Sequence, residues 1–183
     1  MPSYVIEARA FRVALAWSHH FWVLWNADEG TSIAELHGLA YDRVTRKILP
    51  IGTTRAHSLR VFVFPHEEGY ASSVGRAVGS TRMFASSRAH VVYRHADALT
   101  RWNAAVSAMP LLDRLDLTYP PYGFNLRSQT VNSNSAYRTF GEIMGVPVHD
   151  FRGAFRPGLR NRMVSPAEID FERFQTWQRQ ESA

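Results

Sequence analysis

A run of large apolar residues, Phe21-Trp22-Val23-Leu24-Trp25, bounded by Ser18-His19-His20 before it and Ala27-Asp28-Glu29-Gly30 after it, restricts this chain more than any other segment. Aromatic and β-branched side chains fit a pleated, half-buried surface. The turn signal and the second run Ser32-Ile33-Ala34-Glu35-Leu36-His37 complete a β-hairpin. A two-residue loop centred on Asp28-Glu29 sets His20 opposite His37, with Glu35 diagonal to it. Two imidazoles and a carboxylate then share one face, and His19 points to the other. The inference depends on register, because a slip of one residue exchanges the faces. Taken singly, each histidine is equally well a packed or solvent-facing side chain.

A second constraint lies a hundred residues downstream, at Thr130-Val131-Asn132-Ser133-Asn134-Ser135-Ala136-Tyr137. Asn and Ser lead the preferences for helix N-caps, and Tyr137, Phe140 and Met144 follow at helical spacing up to Gly145 and Pro147. A helix is expected to start here. Hydroxyls at such a start sit among unpaired backbone N–H groups at the positive end of the helix dipole, a setting that stabilises a developing anion. Ser133 is therefore a candidate nucleophile. Asn132, Asn134 and Ser135 support it, and the competing reading is that Ser133 and Ser135 only cap the helix.

The order of these elements resembles the circularly permuted papain-like hydrolases, the group that contains the lecithin:retinol acyltransferase family. In that group a His opens an apolar strand, a polar partner follows on the next strand, and an Asn-Cys dipeptide begins a helix far downstream. His20-Phe21-Trp22-Val23-Leu24 is similar to the first element, Leu36-His37-Gly38 to the second, and Asn132-Ser133-Asn134-Ser135 to the third, with Ser in place of Cys. Tyr119-Pro120-Pro121-Tyr122-Gly123-Phe124 resembles the Tyr-containing lead-in to the dipeptide, with Tyr122 as its tyrosine. The likeness covers three short patches. It implies an α+β fold of permuted papain-like type, an antiparallel sheet packed with helices. It also implies a hydrolase or acyl-transferring enzyme cutting an amide or ester bond, with peptide, peptidoglycan or lipid acyl substrates. Ser133 is then the nucleophile and His20 the general base, with His37 or else Glu35 orienting the imidazole. His19 is the alternative base.

The Ser-for-Cys exchange changes the chemistry. A thiol is partly ionised near neutral pH, whereas a serine hydroxyl needs an adjacent base during attack. Ser-His pairs perform such work on unrelated folds. The alternative is a catalytically inactive binding or toxin-associated module on the same scaffold.

With 183 residues, 45% of them hydrophobic, and no Pro/Gly/Ser-rich linker, the chain reads as one domain, residues 1–183, with an irregular arm and a helix from about residue 146. Glu7, Arg9 and Arg12 interrupt the first apolar run, so no signal peptide is expected, and no stretch reaches the ~18 apolar residues of a membrane span. The expectation is a soluble protein, cytoplasmic or exported by a signal-independent route. Zero cysteines exclude disulfides, thiolate metal sites and thiol catalysis. The net charge of +5 invites an anionic partner, but the basic residues, all Arg except Lys47, are spread along the chain with no nucleic-acid motif, so nucleic acid is not expected.

Elsewhere, residues 4–15 supply a first strand, with Ile6, Ala8, Ala10 and Arg12 on one face. Leu59 to Phe64 reads as a strand stopped by Pro65, residues 67–78 as a short helix, and residues 81–86 and His90 to Tyr93 as strands. Leu99, Trp102, Val106 and Met109 mark a helix from Asp97 that ends at Pro110, and residues 111–122 read as a loop or short helical turn. Pro166 to Gln178 is a terminal helix capped by Ser165. A metal reading of His19, His20, Glu35 and His37 is weakened because adjacent strand residues project to opposite faces. No metal and no cofactor is expected, since no His-Glu-x-x-His helix or Gly-rich phosphate cradle occurs. His149-Asp150 is a further pair able to approach the site from its far side.

Overall fold

The structure, a computed structural model, describes residues 3–13, 17–49, 51–65, 87–125 and 129–181. Strands β1 (Tyr4–Val13) and β2 (Trp17–Asn26) pair antiparallel along their whole length, from Tyr4↔Asn26 to Val13↔Trp17. The Asn26 side-chain oxygen accepts from the N–H groups of Asp28 and Glu29, and Gly30 takes φ 66°, which closes the expected turn into β3 (Thr31–Asp42). Strand β3 pairs with β4 (Ile48–Leu49) and with β5 (His57–Pro65), and β6 (Arg88–Tyr93) borders β1. Each of these strand pairs is antiparallel. With helices α1 (Ala98–Arg114), α2 (Ser133–Met144) and α3 (Pro166–Glu181), the architecture is α+β.

The sheet buries both faces, and strand alternation sorts the residues between them. Ile6, Ala8, Ala10, Trp22, Leu24, Leu36, Leu59 and Val61 face Trp102, Ala105, Tyr137, Phe140 and Met144 of the helices in the main core. Phe11, Phe21, Val23, Leu39 and Phe64 form a smaller cluster on the other face. Trp22 ties the layers together, its indole N–H donating to the Tyr137 carbonyl at 2.7 Å while the two rings stack at 4.4 Å.

The expected register of the hairpin needs correction. Trp25 pairs with Ser32 but Leu24 pairs with Ala34, so Ile33 is an extra residue, a bulge. From there on Trp22 faces Leu36, and His37 shares its face with Phe21 and His19 rather than with His20. The helix expected to stop at Pro110 continues to Arg114, so residues 111–114 extend it rather than forming a separate loop or turn, and a short helical turn follows at Pro121–Gly123. The ~3 kcal/mol cost of an interior proline is offset by burial of Leu112 against the core. The first strand stops at Val13, and the last begins two residues before His90. The helix expected over 67–78 and the strand over 81–86 lie outside the described residues. The terminal helix starts as expected: the Ser165 hydroxyl accepts from the Glu168 N–H and the Glu168 carboxylate accepts from the Ser165 N–H.

Gly38 fixes how closely α2 sits on the sheet. A Cβ there would lie 2.3 Å from the Cβ of Ala136 and 3.3 Å from the Cα of Ser133. Gly38→Ala is therefore expected to cost about 1–3 kcal/mol, measured by urea denaturation. Adding Ala136→Gly should restore part of the loss, less the ~1 kcal/mol that a helical glycine costs. An unchanged midpoint in Gly38→Ala would mean that the helix is not seated on this strand.

Candidate active site

The nucleophile candidate is presented by a fully formed capping box. The Asn132 side-chain oxygen accepts from the N–H groups of Asn134 at 2.9 Å and Ser135 at 3.4 Å, and the Ser135 hydroxyl accepts from the Asn132 N–H at 3.2 Å. Ser135 also donates to the Gly158 carbonyl at 2.8 Å, so it serves the cap and the chain segment that crosses it. Ser133 has no part in the cap. Its hydroxyl lies 3.4 Å from the hydroxyl of buried Tyr119.

The second asparagine joins three parts of the chain. Asn134 accepts on its side-chain oxygen from the His20 backbone N–H at 3.1 Å and from His20 Nδ1 at 3.0 Å. Its amide nitrogen donates to the carbonyls of Ser18 at 3.0 Å and Pro157 at 3.1 Å. Asn132 Nδ2 donates to the same Pro157 carbonyl at 2.9 Å and to Gly123 at 2.7 Å. Gly158, at φ 81°, passes so close to the cap that a Cβ would lie 2.3 Å from the Asn132 side-chain oxygen. Only glycine fits this crossing.

These bonds orient His20 toward Asn134 rather than Ser133. Accepting its Nδ1–H on an amide oxygen leaves the lone pair on Nε2, which is buried without a partner. Tyr137 and Phe151 stand against the ring at 5.3 and 5.7 Å between centroids. Burial is the main cause that lowers the pKa of His20 to about 4.

His19 occupies the place expected of His20. It lines a small cavity of about 30 Å³, room for one water, with Trp17, Ser18, Tyr119, Ser133 and Pro157 among the other walls. On its far side His19 Nε2 lies 3.0 Å from His37 Nδ1, and His37 Nε2 lies 2.8 Å from Glu35 Oε2. The planes of the two rings are nearly parallel, 4° apart, and Phe11, Phe21 and Phe64 enclose them. A carboxylate only accepts, so His37 carries its proton on Nε2 and accepts on Nδ1 from His19 Nε2–H. The neutral His19 ring then has its lone pair on Nδ1. Burial, followed by the neighbouring His37 and His20, holds the pKa of His19 well below 6.5, so it is neutral at physiological pH.

Comparison of the chain with protein-family models, with curated proteins and with solved structures finds no match. The site must be judged on its own geometry. That geometry joins His19, His37 and Glu35 in one chain and sets Ser133, Asn132, Asn134 and His19 around one cavity. It leaves Tyr122 outside, 63% exposed. The tyrosine at Ser133 is Tyr119, three residues earlier in the same lead-in, and its signal was the apolar Tyr119-Pro120-Pro121 stretch itself. Trp17, Ile51 and Pro157 also line the cavity with no advance sign in the sequence. His149 stacks on His90 at 3.9 Å and Asp150 pairs with Arg156, away from Ser133. Among the described residues no group of three or more His, Asp or Glu side chains is arranged to hold a metal ion.

His20 makes stability depend on pH. The unfolded chain takes up a proton on this ring near pH 6.5, the folded chain only near pH 4. The unfolded state therefore binds more protons throughout that window, and stability falls as pH is lowered through it. His20 alone contributes a loss of about 3 kcal/mol. Urea midpoints measured between about pH 7 and about pH 4.5 should drop, and His20→Gln should flatten the drop. Equal slopes for the two proteins would remove His20 from this account.

Proposed function

We propose that the protein is a hydrolase or acyl-transferring enzyme of permuted papain-like type, acting on an amide or ester bond through Ser133. The carrying observation is the chain Glu35, His37, His19 that ends in the cavity where the Ser133 hydroxyl also emerges. Asn132-Ser133 at a helix start and histidines on two early strands agree with the resemblance read in the sequence.

In this reading Ser133 Oγ attacks the acyl carbon and its proton passes to His19 Nδ1. His37, held by Glu35, stabilises the imidazolium that forms. The proton then goes to the leaving alcohol or amine, and an acyl-serine remains. Water hydrolyses this ester, or a second alcohol or amine accepts the acyl group, with His19 again taking the proton. The N–H groups of Asn134 and Ser135 are committed to Asn132, so the oxyanion falls to the Ser133 N–H and the Tyr119 hydroxyl, which face each other. Losing one such donor typically costs about 3 to 4 kcal/mol of transition-state stabilisation. One observation favours a second reading, a binding module without turnover: the Ser133 hydroxyl is bonded to Tyr119 and not to an imidazole.

A serine-directed fluorophosphonate separates the two readings. The enzyme reading expects one labelled peptide containing Ser133, and no label in Ser133→Ala or His19→Ala, while His20→Gln still reacts. Labelling that survives in Ser133→Ala would dismiss the nucleophile, and an unlabelled native chain favours the binding module.

The base predicts a pH profile. His19 must be neutral to act, and its pKa is depressed, so turnover should hold as pH drops through 6.5 and fall only below it. Initial rates of ester cleavage, taken where circular dichroism reports folded protein, test this. Dialysis against a strong chelator should leave the rate unchanged; loss of activity restored by zinc would replace the serine mechanism with a metal-bound hydroxide.

A further inference from the structure

A larger concavity adjoins the Ser133 cavity. Pro157 lines both, and consecutive residues Gly123 and Phe124 line one each. This cleft has a volume of about 520 Å³, enough for a substrate segment of several residues or a medium acyl chain. An aromatic path leads into it. Trp17, in the wall at Ser133, meets Phe155 edge-on at 5.8 Å, and Phe155 meets Phe124 at 5.5 Å. Phe155 is 45% exposed, an apolar surface left open toward the cleft.

The charges at its far end do not balance. Among the described residues Asp150 is the one acid in the lining, and Arg156 engages it through both Nε and a terminal nitrogen while donating to the Ala154 carbonyl. Nearby Arg162 is paired with Glu142. Arg160 lines the cleft, is exposed, and among the described residues pairs with no carboxylate. Asn125, Gln129 and Asn161 line the same cleft with amides. An uncompensated guanidinium among amides is a fork for a planar or tetrahedral oxyanion.

We infer that the substrate is an acyl or peptidyl compound whose non-reacting end carries a carboxylate or phosphate, its apolar part lying along Trp17 and Phe155 and its anion on Arg160. The inference rests on the Ser133 reading for the position of the scissile bond. Arg160 binds a part of the substrate that does not react, so it governs KM and leaves kcat alone.

The test compares two esters of equal chain length, 4-nitrophenyl octanoate and the 4-nitrophenyl monoester of suberic acid. The monoester should show the lower KM. Arg160→Ala should raise that KM about tenfold without changing kcat or the octanoate kinetics, and Arg160→Lys should recover part of it. Suberate and octyl phosphate as competitors tell which anion the fork prefers. No preference for the charged ester, or an Arg160→Ala effect equal on both, overturns the inference while the hydrolase stands. If neither ester is cleaved, calorimetric binding of suberate or octyl phosphate to the whole chain decides: binding lost in Arg160→Ala keeps the anion site and discards the Ser133 reading, and no binding discards both.

Discussion

The carboxamide of Asn134 is the joint on which the site depends. It holds strand β2 by the backbone and ring of His20 and by the Ser18 carbonyl, and it holds the C-terminal segment by the Pro157 carbonyl. All four polar partners are bound within a region 2% exposed at Asn134. A buried amide that loses one partner costs about 1–3 kcal/mol, so its network is either complete or a liability. Complete, it fixes the relation between a helix start and a strand 114 residues away, which no local propensity can do.

The two histidines divide the labour. His20 is tied to the helix start: its Nδ1–H donates to Asn134 and its ring packs against Tyr137 and Phe151. His19 is the only one of the pair that reaches both the cavity and the buried His37-Glu35 couple. Adjacent residues on a strand point to opposite faces, so a dipeptide of two histidines delivers one ring to each layer of the protein. The same alternation explains why the small aromatic cluster, which adds little to the core, surrounds His37: it packs around the hydrogen-bonded His19, His37 and Glu35 and fixes the ring planes.

Much of this was legible in the chain. The hairpin, the strand over 59–64, the helix from Asn132 and the Ser165 cap are local signals, and local signals survive folding. The assignment of histidines failed through one residue. Ile33 is inserted as a bulge without any Gly or Pro to mark it, and everything beyond it changes sides. Pro110 failed for a related reason, since tertiary burial of Leu112 outweighs a local breaker. The lead-in at Tyr119-Pro120-Pro121 was legible but pointed to Tyr122 rather than Tyr119, and Pro157 was invisible because its contribution is a position in space, created by the strap from residue 153 to 161 lying over the helix cap.

That strap has a consequence for biosynthesis. The strands that carry the histidines lie near residues 17 to 37, the candidate nucleophile at 133, and the carbonyl that both asparagines need at 157. A ribosome delivers these in that order, so the hairpin with its polar relay emerges long before the parts that cover it. Until Pro157 leaves the exit tunnel the two asparagine amides lack their shared acceptor, and the wall that it adds to the Ser133 cavity is missing. The candidate site is thus completed late in synthesis, by the sequence position of a single peptide carbonyl.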